Sequence, residues 1–379
     1  MQVAKDCVQI LLALCFGLIF MADTASAQTR ELKELPQPKA MSGQEFEEKT
    51  VDIVYRNETD PAIAYQLRLP ESWKEVPFAS LKNYESDNKV FGDVGLYLSP
   101  VSSLGRARFE VQVHELYNEM YIEYWLIKRL LDQGSTLRSI HAKDQDQVEA
   151  VYVQFKDNVT YVAHTKAFIN GPRIIQATFL VPVDRFEEMR DLQIHATRSF
   201  RFLVQDTKRV EELRSYAYLD QKMFDYPQSL YIQSNDVITE EELKLVILSQ
   251  DQNGFPIGRF LVDIYAKTAD FSLQQHVKDV LATLDAEGLV IKDKIEEKTY
   301  RTSDIVTFSS VEVYNMARKT SEYLRYEEDP ITQELWMAIL ASPQYFMILS
   351  LVTPTREMDV FNWSRNTRAF EIIVSSYRD

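Results

Sequence analysis

The side chains best suited to metal ligation or proton transfer in this sequence are its five histidines, at 114, 141, 164, 195 and 276. An imidazole is both a metal ligand and a proton carrier near neutrality. His114-Glu115 opens like the zinc helix motif H-E-x-x-H, but Asn118 stands where the second histidine belongs and the segment reads as the end of a strand. His141 shares a short stretch with Asp144, Asp146 and Glu149, donors that suit calcium or manganese. A calcium loop would need a further ligand near Val148 and a glycine that is missing, so no metal is expected at either place. No G-x-S-x-G segment presents a serine nucleophile. The carboxylate runs Glu187-Glu188 and Glu327-Glu328-Asp329 read as a helix start and a loop, solvated faces rather than an acid–base pair. Trp73, Trp125, Trp336 and Trp363 could build a sugar platform, yet Trp125 lies on the apolar stripe of a helix and Trp73 at a turn, where core packing is the expectation. Ten glycines, none in a phosphate-cradling spacing, argue against a nucleotide loop. No catalytic set and no cofactor is expected.

The elements that would have to position any such site begin after the N-terminus. Residues 1–27 combine Lys5, the apolar run Ile10–Ala22 and Ala25-Ser26-Ala27, the plan of a secretory signal peptide cleaved between Ala27 and Gln28. Thirteen apolar residues rising about 1.5 Å each are too short for a bilayer core of roughly 30 Å, so no transmembrane segment is expected in the mature chain. Cys7 and Cys15 both fall in this segment, so the mature chain has no thiol for catalysis or metal binding. Its balance is acidic, −15 for the whole chain and −14 once Lys5, Asp6 and Asp23 are removed. That charge disfavours nucleic acid as a partner. Residues 28–50 mix charges with Pro, Gly and Ser and read as a flexible leader.

The remainder reads as two parallel series of elements. In the first, AIAYQLRLP, DVGLYLS and RARFEVQVHEL alternate as strands, and YIEYWLIKRLLDQG is an amphipathic helix stopped by Gly134. QVEAVYVQF, TYVAHTKAFI and RIIQATFLV then form an antiparallel meander around Lys156-Asp157-Asn158 and Asn170-Gly171-Pro172. A helix capped by Asp184 and Glu187 leads to a closing strand, SFRFLV. The second series repeats this with LKLVILS, GRFLVDIYA, a helix capped by Ser272 and ended by Gly288, IVTFSSVEVY, QYFMILSLVT, a short helix and a closing strand AFEIIVS. HATRSFRF at 195–202 returns as RNTRAFEI at 365–372. Spacing between matched landmarks stays near Gly105/Gly258 and Gly134/Gly288 values and then grows, placing an insertion near residues 321–337.

These landmarks, Leu69-Pro70-Glu71-Ser72-Trp73, the hairpin, the helix, the meander and Ser199-Phe200, resemble the superfamily of the PsbP-like lumenal proteins, a Ran-binding regulator and the bacterial periplasmic DcrB-like proteins. The second copy departs from the pattern at Leu230, where Trp is expected, and at Ala369, where Ser is expected. The resemblance covers residues 51–205 and about 217–379. It implies an α+β fold of two tandem α/β/α sandwich domains, each with an antiparallel sheet flanked by helices, used for docking rather than chemistry.

The expected function is a non-enzymatic, exported adaptor or assembly factor for an envelope protein complex, periplasmic or else secreted. A periplasmic protein binding a small ligand, sugar or metal is the alternative. The insertion is the expected partner surface because only one copy has it: Tyr323, Tyr326, Glu327, Glu328, Asp329 and Trp336 join aromatic to acidic side chains.

Overall fold

Period-two alternation interrupted by two helical stretches per repeat dictates sheets covered by helices, and that is the architecture of the computed structural model. It describes residues 33–86, 89–103, 105–219, 221–239, 241–268, 272–300, 302, 307–318 and 331–378. The expected signal segment lies outside the described residues.

The first half runs α1 (Gly43–Lys49), β1 (Val51–Tyr55), β2 (Tyr65–Leu69), β3 (Lys74–Glu75), β4 (Asn83–Ser86), β5 (Lys89–Leu98), β6 (Arg108–Glu115), α2 (Ile122–Asp132), β7 (Thr136–Asp144), β8 (Gln147–Lys156), β9 (Val159–Ile169), β10 (Arg173–Pro182), α3 (Phe186–Ser199) and β11 (Arg201–Phe202). The second runs β12 (Leu213–Tyr218), β13 (Gln221–Pro227), β14 (Leu230–Thr239), β15 (Glu242–Gln250), β16 (Pro256–Ala266), α4 (Leu273–Ala286), β17 (Leu289–Lys298), β18 (Thr307–Arg318), β19 (Ile331–Ala341), β20 (Tyr345–Pro354) and α5 (Val360–Ser376).

The first sheet is ordered β3-β5-β6-β10-β9-β8-β7, with β4 also on β5; the second is ordered β14-β15-β16-β20-β19-β18-β17. The two orders correspond strand for strand from β5 and β15 onward, and every pairing is antiparallel. Central β10 is buried along its whole length because a helix covers each face. Alternate residues serve the two sides. Ile175, Ala177 and Phe179 pack with Ala196 of α3, while Ile174 and Leu180 pack with Leu126 and Leu130 of α2. In the second half Met347, Leu349 and Leu351 face Phe370 and Ile373 of α5, whereas Ile348 and Val352 face Val280 and Leu284 of α4. Each buried aliphatic or aromatic side chain contributes about 1.5–3 kcal/mol. The fold is therefore α+β, with two antiparallel sheets each sandwiched between helices.

Turn chemistry sets the register. Asp157 and Asn158 both take left-handed φ, 52° and 61°, which lets a two-residue turn join Lys156 to Val159 in the twist of the strands. Gly134 and Gly288, at φ 65° and 80°, end α2 and α4.

Several expectations are corrected. Part of the supposed flexible leader is folded: Ser42 caps α1, accepting from the Glu45 N–H, and buried Phe46 stacks on His195 at 5.2 Å. The backbone N–H groups of Lys39, Ala40 and Met41 all donate to Asp191 of α3. The Asp184 and Ser272 side chains do not cap their helices. AFEIIVS is helical, the continuation of α5, since Trp363, Phe370, Ile373 and Val374 form one apolar face, and the chain meets the β13 edge only beyond the helix, where the Arg378 N–H donates to Met223 O (2.8 Å). Gly258 lies within β16, as read in GRFLVDIYA, whereas its matched landmark Gly105 precedes β6, so the two glycines are not equivalent in place; a Cβ at Gly258 would meet the Asn366 side chain at 2.4 Å.

The inserted segment is also narrower than 321–337. Ile331–Met337 belongs to β19, in register with β18 and β20. What is extra is the connection between β18 and β19, where the first half has only Asp157-Asn158. The charged edge strands β7 and β17 carry too little alternation to be read as strands.

Candidate functional site

Leu35–Asp379 forms one compact unit, and the joint between its halves is built by reciprocal insertion. Tyr124 of α2 packs against the second core, and Phe361 of α5 packs against the first. Beneath them the Tyr121 N–H donates to Ser364 Oγ (3.1 Å) and the Tyr121 hydroxyl to the Glu371 carboxylate (2.9 Å). Arg368 pairs with Glu371 at 2.6 Å and lies 3.7 Å from Glu119. Burial pushes the Glu119 carboxyl up, against the pull of Arg368 and Arg209. Glu211 bridges the halves too, accepting from the N–H groups of Glu119 and Ser229 (both 2.9 Å).

A cavity of about 490 Å³ opens beside this joint, walled by Tyr124 from the first half and by Lys298, Glu334, Arg356, Met358 and Trp363 from the second. Its Trp363 wall is backed by a second, buried tryptophan. Trp336 of β19 and Trp363 of α5 meet edge to face with centroids 5.8 Å apart, and both indole N–H groups donate to Glu334 Oε2, at 2.8 and 2.7 Å. One buried carboxylate thereby satisfies two buried donors, which fixes both rings. Lys298 Nζ stands 4.3 Å above the Trp336 ring, and the Arg356 guanidinium carbon 5.7 Å above Trp363. Burial works against the charge of Arg356, but the Tyr124 hydroxyl and the Glu357 and Glu334 carboxylates hold its guanidinium above the usual arginine range. Burial pushes the Tyr124 hydroxyl up.

The arrangement has the composition of a binding site: rigid aromatics and an arginine, with half-exposed cations at the rim.

Trp336, expected on a partner surface, is buried at 1% exposure in the core, because β19 turns it toward α5. Tyr323, Tyr326, Glu327, Glu328 and Asp329 lie outside the described residues. The strands that flank them supply Asn315 and Ile331 to the cavity wall. Sequence reading missed Tyr124, Lys298 and Arg356, which three distant segments bring together. It also set His141, Asp144, Asp146 and Glu149 side by side, but Glu149 is engaged by His164 (2.7 Å) and Arg198 (3.3 Å) on the α3 face of the sheet. Among the described residues no group of three His, Cys, Asp or Glu side chains could hold a metal ion. Trp73 packs edge-on to Phe179 (5.1 Å), and Trp125 lies against His114 (5.2 Å).

Fold and site together define a two-sheet α+β protein with a cavity walled by both halves. No family model matches the chain, and no curated protein matches it. Solved structures similar to it include the cyanobacterial PsbP (CyanoP) of Synechocystis sp. PCC 6803, with a TM-score of 0.29 and 15% identity over 44% of this chain and 98% of that one. PA94 of Pseudomonas aeruginosa, a protein of unknown function, has a TM-score of 0.26 and 10% identity over 39% and 94%. The T6SS immunity protein TplEi of Pseudomonas aeruginosa has a TM-score of 0.21 and 12% identity over 86% and 96%. Among the described residues no helix is long and apolar enough to cross a membrane.

Proposed function

We propose that the chain is a non-enzymatic, exported protein of two tandem PsbP-like units that acts by holding a protein partner, as an adaptor or assembly factor in the cell envelope. The observation that supports this reading is the cavity shared by the halves, in which Tyr124, Trp363, Arg356 and Lys298 converge on pre-set geometry. Aromatic side chains and arginine, held by a satisfied buried carboxylate, are the groups that carry most binding energy in protein interfaces. The locked joint offers both halves to the partner as one surface, which lowers the ordering cost of association. The acidic balance of the chain suits a partner with a basic surface and speeds its encounter. An envelope location is part of the proposal and rests on the signal-like first 27 residues. A partner that is itself a toxic effector would give the chain an immunity role of the kind named for TplEi.

The test is site-specific photo-crosslinking in cells that export the chain. A crosslinking residue at Met358, exposed on the cavity rim, should capture a reproducible set of envelope or secreted proteins. The same residue at exposed Val101, on the β5–β6 loop, should not. Equal capture at both positions, or none at Met358, overturns the proposal.

A further inference from the structure

Under α2 the first sheet carries a polar set that its counterpart in the second half lacks. Arg129 Nε donates to Gln176 Oε1 (3.0 Å) and Nη2 to Gln112 Oε1 (3.2 Å), and the Trp125 ring lies 5.5 Å from the guanidinium carbon. Gln176, only 3% exposed, continues the network to the Thr165 and Thr178 hydroxyls (both 3.3 Å), themselves 2.8 Å apart. The guanidinium is thus held in one orientation by neutral groups alone. Among the described residues no carboxylate lies within ion-pair distance of Arg129, and its Nη1 makes no hydrogen bond to protein.

The neighbouring carboxylates are already engaged. Glu110 is taken by Lys156 (2.8 Å) and Arg108 (3.7 Å), Asp132 by Lys128 (2.6 Å), and Asp93 accepts from Gln112 (2.7 Å). His114, buried close by, is held neutral: burial, and secondarily the charge of Arg129, bring its pKa down to about 3. Arg129 lines two openings, a cavity of about 220 Å³ shared with Tyr152, Gln154, Thr178, Lys156 and its ion-pair partner Glu110, and a wider one of about 400 Å³ shared with the Lys128–Asp132 pair and Phe361.

The duplication shows that the fold does not require this set. The inner hairpins close with the same bond, Asn170 N–H to Arg173 O (2.9 Å) and Ser342 N–H to Tyr345 O (3.0 Å), which sets Gln176 against Ile348. Leu126 and Leu130 match Val280 and Leu284, which sets Arg129 against Thr283. There Ile348 packs on Tyr265 and Val280, and the polar groups on that face are Asp263, cross-strand from Ile348 as Gln112 is from Gln176, and the buried Ser350, with no guanidinium among them. A half-buried guanidinium with no carboxylate in ion-pair contact, and the Asp93 charge acting on it only from longer range, is costly, and a charge-assisted, geometrically fixed contact to an anion relieves that cost.

We propose that the cavity beside Arg129 binds a small oxyanion, a carboxylate, phosphate or sulfate group, with Arg129 Nη1 as the charged donor and the Thr178, Gln133 and Gln154 side chains at the wall. This site is separate from the one between the halves and does not rest on the docking proposal.

The experiment titrates the full mature chain by calorimetry with inorganic phosphate, sulfate and acetate in separate arms, so that tetrahedral and planar anions are distinguished. Saturable binding of at least one anion is expected, weakened about tenfold or more in Arg129→Gln, with Arg129→Lys in between because an ammonium lacks the planar fork. Hydrogen exchange on the unsubstituted chain supplies a readout independent of variant folding: the bound anion should protect residues 122–133 and 173–182. Absence of binding in all three arms, undiminished binding in Arg129→Gln, or protection confined to other elements each overturns the proposal.

Discussion

Tyr124 and Trp363 meet edge to face with ring centroids 4.9 Å apart, although 239 positions separate them in the chain and they belong to different halves. Through Trp363 the contact extends to Glu334, which holds both tryptophan N–H groups, and through the Tyr124 hydroxyl to Arg356. The cavity wall and the joint between the halves are therefore the same structure. A change that loosens one loosens the other.

Replacing Trp363 by Ala removes a buried aromatic and leaves one acceptor site of Glu334 empty, so a loss of about 3–5 kcal/mol is expected. Tyr124→Ala should cost less, about 1–3 kcal/mol, and Tyr124→Phe under about 1 kcal/mol because only the bond to Arg356 is lost. Urea unfolding followed by tryptophan fluorescence measures all three. A Tyr124→Ala variant as damaged as Trp363→Ala would show that the joint, not the second core, carries the loss.

Asp263 on β16 is 8% exposed, and burial, opposed by Lys244, raises its pKa from 3.8 to about 6. At pH 7 its charge costs stability. The native state binds the proton more readily than the unfolded chain, so the cost declines as pH falls through about 6 and is absent below 3.8. Asp263→Asn should therefore be more stable than the parent at pH 7.5 by about 2 kcal/mol, with the difference shrinking toward pH 4. Thermal melts across that range check the sign; a constant difference would assign the effect to packing.

Asp191 holds three successive backbone N–H groups of the N-terminal segment at 2.6–3.0 Å. Asp191→Ala should release residues 35–41 from α3 and make the bond after Lys39 a site of rapid trypsin cleavage, with the midpoint of global unfolding shifted by less than about 1 kcal/mol. N-terminal sequencing of the product locates the cut. Unchanged protection of Lys39 would move the anchoring role to the His195 bond to Met41 O (3.0 Å).

The connection between β18 and β19 gives a prediction with two arms. Replacing Tyr323–Asp329 by a Gly/Ser linker should leave melting nearly unchanged and reduce crosslinking from Met358 if those residues help to hold the partner. Extending the replacement through Trp336 deletes half of β19 and a fully buried indole, and should unfold the second half. Intact crosslinking in the short variant would confine the docking surface to the cavity wall.

The sequence by itself determined the alternation of the meander strands, the left-handed stops at Gly134 and Gly288, the two-residue turn at Asp157-Asn158 and the duplicated order of elements, because each is a local rule acting over a few residues. Ser42 and Glu45 carried a legible capping signal as well, hidden by the charged residues around it. Tertiary structure decided the rest. AFEIIVS could alternate as a strand or stripe as a helix, and the core presented to Phe370 and Ile373 selects the helix, the chain reaching the β13 edge only at Arg378. Edge strands β7 and β17 owe their state to a neighbour's backbone rather than to apolar pattern. Trp336 looked like a surface anchor because its chain neighbours are acidic, yet the register of β19 turns it inward onto Trp363 and Glu334. Tyr124, Lys298 and Arg356 carry no common motif; they meet because the two halves pack as one body, a long-range fact that no local pattern encodes.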